Sequence, residues 1–307
     1  MTVAVVCAAA TPVTAAAQGP AAVARVATLG SESTDVWDVF ERRLSALGYV
    51  EGRNLGLERR WSQGFTERVP TLLAEILRTK PDVVVASMMP PSASLDPAQC
   101  VPILAIGVAE SYGACRVFPV ANLSAAAAAR QLSATHLRLA RAAVPSAARV
   151  TVLTDPSRPF LVEYVEGLRR AAQPLGIAVL ALDVSRNSPD ALVDAIARQN
   201  PDVLIAAPAF GPPHGRRQLL AHVRRMRIAS VGSHMMDGVV VAADYDWRDL
   251  ARRAASFVDQ ILKGATPGQL DRDAPVKFEI VVDGQAAAAI GLAVPELLLR
   301  EADRVLD

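Results

Sequence analysis

The heptapeptide PDVVVAS, Pro81–Ser87, returns as PDVLIAA, Pro201–Ala207, 120 positions later. Each copy is a Pro-Asp turn followed by an apolar run too short for a helix and unbroken by polar residues, the pattern of a parallel strand covered on both faces. An amphipathic helical stretch precedes each copy, VPTLLAEILRTK from Val69 and ALVDAIARQN from Ala191. The repeated unit is helix, turn, buried strand, and a chain built from it is expected to be α/β with parallel sheets.

The repetition extends to neighbouring segments. RVATLG from Arg25 matches RVTVLTD from Arg149, and the helical stretches STDVWDVFERRLSALG and FLVEYVEGLRRAAQPLG end at Gly48 and Gly176. NLGLERRW and IAVLALDV follow as second strands, and VPILAIG (Val101–Gly107) corresponds to RIASVGS from Arg227. Four elements recur in order at offsets of about 120 to 128, which predicts two similar lobes with a cleft between them suited to a small ligand. A length of 307 residues accommodates both. The first helix is expected to take a Ser or Thr N-cap near Ser33, and Ser124 to about Ala143 reads as a long Ala-rich helix. Beyond Asp249, one helix, the strand KFEIVVD and two helical stretches in QAAAAIGLAVPELLLREADRVL are expected to cross between the lobes. The division expected is a leader over 1–24, a first lobe of 25–123 with about 246–270, and a second of about 124–245 with 271–307.

Composition narrows the function. The 32 basic and 31 acidic side chains leave a net charge of +1, so there is no whole-molecule field to draw nucleic acid or an anionic membrane. The basic run HGRRQLLAHVRRMR reads either as a solvated helix face or as a docking surface. His136, His214, His222 and His234 fall into no metal-ligand spacing, and no P-loop, G-x-G-x-x-G or G-x-S-x-G occurs. No cofactor and no catalytic chemistry are expected. After the first residues no apolar run approaches the roughly 20 of a membrane span.

The first 24 residues carry no charge, and MTVAVVCAAATPVTAAA resembles the apolar core and Ala-x-Ala end of a secretory signal without its basic start. An Ala-rich tail is the other reading. Export would leave Cys100 and Cys115, which read either as one disulfide or as two separate thiols.

Two segments are specific enough to carry a resemblance: LSALGYVEGRNLGLERRWSQG (Leu44–Gly64) and the tail APVKFEIVVDGQAAAAIGLAVPELLLREADRVLD (Ala274–Asp307). With ILKGATPGQL from Ile261 and the helix-to-PDVVVAS unit, they resemble the ABC transporter substrate-binding proteins of the tryptophan- and tyrosine-uptake group. The resemblance implies two Rossmann-like lobes joined by a hinge, as in type I periplasmic binding proteins. It also implies a periplasmic monomer that captures a small molecule, an amino acid or related metabolite, and delivers it to an ABC permease with its ATPase. A ligand-sensing module serving a membrane receptor is the alternative on the same fold. The chain departs from the family pattern in SMMPP after Ala86 and in AESYGACRVFPVAN, Ala109–Asn122, so an aromatic amino acid is not carried over as ligand.

Because ligands of open α/β sheets lie beyond the strands' carboxyl ends, the candidate ligand residues follow each strand. The first lobe offers Gly30, Ser31 and Glu32, then Ser87 and Met88, then Glu110, Ser111 and Tyr112. Ser31 reads equally as an N-cap, Glu32 as a helix-start charge and Met88 as core filler. The second lobe offers Thr154, Asp155 and Arg158, then Phe210, then Ser233, His234 and Asp237. Asp155 reads equally as a turn former, and Phe210 as interlobe packing. Tyr245, in ADYDW with Trp247, is expected at a crossing, lining the cleft or buried.

Overall fold

The repeated Pro-Asp pair clips strands together at their starts. Asp82 Oδ2 accepts from the Arg25 N–H at 2.7 Å while the Asp82 N–H donates to the Arg25 carbonyl at 2.8 Å. Asp202 Oδ2 accepts from the N–H groups of Ala148 and Arg149 at 2.9 and 2.8 Å, and its own N–H donates to the Arg149 carbonyl at 2.9 Å. Those two donors hold the Asp202 carboxyl below its ordinary range. Lys80 and Asn200, two residues ahead of each aspartate, both turn the chain with positive φ, 52° and 43°. The dipeptide recurs because each lobe fixes its central strands in the same way.

The computed structural model of the chain describes residues 23–32, 34–87, 89, 101–106, 117–121, 124–208, 213–233, 238–273 and 276–307. The first sheet contains β1 (Ala24–Gly30), β2 (Leu55–Trp61), β3 (Val83–Ala86), β4 (Ile103–Ala105) and β5 (Val117–Pro119), parallel and in the order β2-β1-β3-β4-β5. The second contains β6 (Arg149–Thr154), β7 (Ala178–Asp183), β8 (Val203–Ala206), β9 (Ala229–Gly232), β10 (Val241–Tyr245), β11 (Phe278–Asp283) and β12 (Arg304–Leu306). Its order is β12-β11-β10-β9-β8-β6-β7, and only β11 against β10 is antiparallel. The run β7-β6-β8-β9-β10 repeats the order of the first sheet strand for strand, so the two lobes are α/β units of one plan.

Helices cover both faces of each sheet, as fully apolar parallel strands require. On the first sheet, α1 (Asp35–Ala46) and α7 (Trp247–Leu262) pack together on one face, with Phe40, Leu44, Leu250 and Val258 buried between them and β3. The helix α2 (Val69–Arg78) covers the other through Leu72, Leu73 and Ile76. On the second sheet, α3 (Ala125–Ala143), α4 (Pro159–Ala172), α8 (Gly284–Ile290) and α9 (Glu296–Glu301) share one core with β6, β8 and β10. The opposite face is closed by α5 (Pro189–Gln199) and α6 (Pro213–Arg225), through Leu192, Ile196, Leu219, Leu220 and Val223.

After β5 the chain passes to the second sheet, where α3 packs against α4; after β10 it returns, and α7 packs against α1. Each lobe therefore receives a helix that follows the other lobe's fifth strand.

The sequence expectations miss several elements, all short. Neither β5 nor β12 has the length to show a strand period, and β12 ends a segment that reads as helical. ADYDW ends β10 at Tyr245 and begins α7 at Trp247, so the crossing expected there is a single residue, Asp246, between a strand and a helix. The strand expected over Val101–Gly107 narrows to β4, whereas the Ser or Thr N-cap expected near Ser33 is found at Thr34.

The segment that carries the resemblance, GYVEGRN, is a built turn between α1 and β2. Gly48 and Gly52 adopt φ of 96° and 80°, conformations that favour glycine. The Asn54 amide accepts from the Val50 N–H at 2.7 Å and donates to the Gly48 carbonyl at 3.0 Å. Tyr49 donates to Asp259 Oδ1 of α7 at 3.0 Å, and burial together with that carboxylate pushes its hydroxyl up to about 12. Arg59 forks onto Glu41 at 2.7 Å and onto Glu51 at 2.8 Å. Every polar member of the motif that bonds here serves the scaffold.

Candidate functional site

At the carboxyl end of β1, Gly30 is glycine because of aromatic packing. A Cβ there would stand 2.8 Å from Trp37 Nε1 and 2.9 Å from Trp61, whose rings lie 5.4 Å apart. The next two residues turn outward: Ser31 is half-buried and Glu32 exposed. The strand-end carbonyls of Gly30 and Ser31 are taken up by the turn after β2, Ser62 N–H donating to Gly30 O at 2.8 Å and Gln63 N–H to Ser31 O at 2.6 Å. Ser31 does not cap α1, whose N-cap is Thr34. Asp35 and Asp38 already occupy the first turn of that helix, so a ligand carboxylate at its positive end would meet two carboxylates. Ser87 ends β3, half-buried, with its N–H on the Leu29 carbonyl at 2.9 Å. Met89 packs on the core beneath α2.

The second sheet presents a more polar rim. Thr154 ends β6, the strand between β8 and β7, at 5 % exposure, and its Oγ1 is buried with no hydrogen-bond partner. A buried hydroxyl left unpaired costs about 1–3 kcal/mol, a cost that a hydrogen-bond partner at this strand end would remove. Asp155 Oδ1 accepts from the N–H and hydroxyl of Ser157 at 3.0 and 2.5 Å, which folds the Asp-Pro-Ser turn leading to α4. Arg158 occupies the N-cap position of α4, half-buried. Its neighbour Phe160 packs against the cores of both sheets.

Two sheet positions away, at the end of β9, Ser233 is 3 % exposed and its hydroxyl donates to Asp244 Oδ2. Asp244 Oδ1 accepts from the Tyr245 N–H at 2.8 Å. Burial pushes the Asp244 carboxyl up to about 7; Glu279, opposite it on β11, adds to the rise, while the Tyr245 N–H and the Trp247 indole oppose it.

The crossing between the lobes is tied at the same place. Tyr245 donates to the Ala128 carbonyl at 3.2 Å and stacks on Phe278 at 4.9 Å. Arg248, on α7, donates to both oxygens of Glu279 at 3.1 Å and also holds Asp35 of α1. One guanidinium thus joins a helix of the first sheet to a strand of the second. Behind it, fully buried His136 on α3 bonds to Ala243 O at 2.8 Å and to the Tyr164 hydroxyl at 2.5 Å. A carbonyl only accepts, so Nε2 carries the proton and Nδ1 accepts from Tyr164.

A depression of about 240 Å³ lined by Arg25, Glu58, Thr79 and Pro81 lies at the amino ends of β1 and β3, the end away from these residues. Among the described residues no group of His, Cys, Asp and Glu is placed to hold a metal ion, and no helix is long and apolar enough to cross a membrane.

The family model described as ABC transporter substrate binding protein matches residues 33–306. The chain belongs to that family. No curated protein matches it. Among solved structures, this substrate-binding protein is similar to a conserved domain protein from Vibrio cholerae, with 22% identity, a TM-score of 0.75, and 92% of this chain and 99% of that one covered. It is equally similar to the ABC domain in complex with L-Trp from Streptococcus pneumoniae, at 18% identity, TM-score 0.74 and the same coverages. An arabinose binding protein from Geobacillus stearothermophilus shares the fold at 11% identity, TM-score 0.61, with 83% and 96% covered. The two-lobed α/β architecture is that of periplasmic binding proteins.

Of the residues the sequence nominates in this substrate-binding protein, Gly30, Ser31, Glu32 and Ser87 gather at the carboxyl end of the first sheet, and Thr154, Asp155, Arg158 and Ser233 at that of the second. Tyr245 stands at the crossing, as expected, and is buried there with its hydroxyl spent on Ala128. Met88, Glu110, Ser111, Tyr112, Phe210, His234 and Asp237 lie outside the described residues, as do Cys100 and Cys115. The sequence reading passes over Asp244 and Arg248. A carboxylate closing the apolar run VVVAA is the one signal that marks Asp244, and nothing in the local spacing marks Arg248.

Proposed function

We propose that this substrate-binding protein is the extracytoplasmic capture component of an ABC importer, exported by its N-terminal segment and acting as a monomer without catalysis. Its lobes, 25–123 with about 246–270 and about 124–245 with 271–307, close by a hinge over one small solute and present it to a permease driven by its ATPase. The observation that carries this reading is the buried, unpartnered Thr154 hydroxyl at a strand end, in a chain whose family binds small ligands. With Asp155 and Arg158 beside it and Ser31, Glu32 and Ser87 on the other rim, the polar set offers both charges and neutral hydroxyls. That mixture suits a zwitterion, and we take an amino acid or related metabolite as the ligand class; the L-Trp of the streptococcal structure supports the class.

A thermal-unfolding screen against the common amino acids, pentoses and hexoses tests the proposal. A ligand at about a hundred times its Kd stabilises the native state by about 2.7 kcal/mol, so one or a few amino acids are expected to raise the melting temperature in a concentration-dependent way. A screen in which no solute raises it would contradict the reading.

A further inference from the structure

The net charge of +1 conceals a segregated one. Between Asp202 and Asp237 the sequence holds five arginines, Arg216, Arg217, Arg224, Arg225 and Arg227, and no lysine or carboxylate. The rest of the chain therefore carries a net charge of −4 against +5 here. Most of this segment's charge belongs to α6. That helix buries Leu219, Leu220 and Val223 against the second sheet, and helical spacing puts Arg225 on the opposite side with Arg217 and Arg224 together on one flank. Arg217, Arg225 and Arg227 are exposed and Arg224 half-buried. The helices α1, α4, α5 and α7 mix carboxylates with their basic side chains, as in the Arg169–Glu166 and Arg253–Asp249 pairs, and α3, which also carries three arginines and no carboxylate, has Arg138 paired with Glu301 of α9. The adjoining α8 has no charged side chain at all.

We infer that the outward face of α6 adsorbs the protein to an anionic phospholipid surface. The face is a convex strip about 12 Å long from Arg217 to Arg225, without a cavity to enclose a single anion. Guanidinium groups on flexible stems suit a planar array of phosphates, which they bind as forks. A protein partner is the poorer fit. Stable protein interfaces have an apolar, aromatic-rich centre, whereas the outward positions between these arginines are Gln218, Ala221 and His222, and no large exposed hydrophobic residue occurs on α6 among the described residues. The strip faces away from the sheet that carries Thr154, so adsorption leaves the strand-end rim open.

Co-sedimentation of the full chain with vesicles of phosphatidylglycerol and phosphatidylcholine, against phosphatidylcholine alone, tests this. The quantity read is the anionic-minus-neutral difference, which removes any binding by the apolar N-terminal segment. Each basic side chain near an anionic leaflet strengthens binding about fivefold. The triple change Arg224→Gln, Arg225→Gln, Arg227→Gln is therefore expected to weaken the difference about a hundredfold. The parent's difference should vanish between about 20 mM and about 0.3 M salt as screening shortens. Arg42→Gln, Arg78→Gln, Arg170→Gln, also on exposed arginines, alters net charge equally and should leave the binding unchanged. Circular dichroism establishes that each variant is folded. Equal sedimentation with both vesicle types, an equal loss in both triple variants, or binding to soluble polyglutamate without binding to vesicles would each overturn the inference, the last pointing to an acidic protein instead.

Discussion

His136→Ala is expected to lower the unfolding free energy by about 4 kcal/mol. The side chain is fully buried and joins three elements: α3, which carries it; α4, through Tyr164; and β10, through the Ala243 carbonyl. Truncation leaves a cavity and strips a partner from a buried hydroxyl and a buried carbonyl, each costing about 1–3 kcal/mol. Tyr164→Phe keeps the ring and removes only the donor to Nδ1, so a loss of about 1–2 kcal/mol is expected. The double variant should lose less than the sum, because the two changes break one shared bond. Urea unfolding followed by far-UV circular dichroism is the measurement. The three tryptophans, Trp37, Trp61 and Trp247, lie on α1, β2 and α7, so their fluorescence reports on the other sheet. A His136→Ala variant within about 0.5 kcal/mol of the parent would contradict this account of the core.

Asp244→Asn is expected to change stability with a sign that depends on pH. In the unfolded chain this carboxyl ionises near 3.8, but in the fold it holds its proton up to about 7. The folded state therefore binds the extra proton, and the parent's stability from this group is full below about 4 and is lost as pH rises to 7. The shift amounts to about 1.4 kcal/mol per pH unit, roughly 4 kcal/mol over the window. Asparagine has no such contribution, so relative to the parent the variant should be least stable near pH 4 and recover by that amount at pH 7. His136 works in the opposite direction. Burial draws it down to about 4 from an unfolded value near 6.5, so its contribution is present above 6.5 and lost as pH falls to 4. In the parent the two slopes cancel between pH 4 and 6.5; Asp244→Asn exposes one of them and His136→Gln the other. Denaturation midpoints at pH 4, 5, 6 and 7 decide it, and an Asp244→Asn difference that is flat or falls with pH would contradict the assignment.

What the sequence made legible is what repeats or what has a strong local period. The Pro-Asp clip announces itself because both lobes need a carboxylate on the first strand's N–H groups, at Asp82 and at Asp202. The family-specific segments are legible for the same kind of reason: Tyr49, Asn54 and Arg59 shape the turn after α1, and Phe278 and Glu279 tie the crossing. Those residues identify a scaffold, and a scaffold is indifferent to the solute. The strand-end residues are visible only as positions after strands, since a serine or threonine there looks alike whether it caps, turns or binds. Ser233 shows the difficulty: it sits where a ligand residue is expected, yet its hydroxyl is committed to Asp244. Long-range partners such as Arg248 with Asp35 and Glu279 are separated by 213 and 31 positions, and no local pattern joins them.

The central claim is that one small solute is held between the lobes with Thr154 among its contacts. Dialysis of the parent and of Thr154→Val against a mixture of the common amino acids, then denaturation and chromatography of what each retains, tests it most directly. Valine keeps the shape of the side chain and removes the hydroxyl that lacks a partner, so the fold should persist and even gain slightly. The account predicts an equimolar amino acid on the parent and a clearly reduced amount on Thr154→Val. No retained solute on the parent, or equal retention by both proteins, would contradict it.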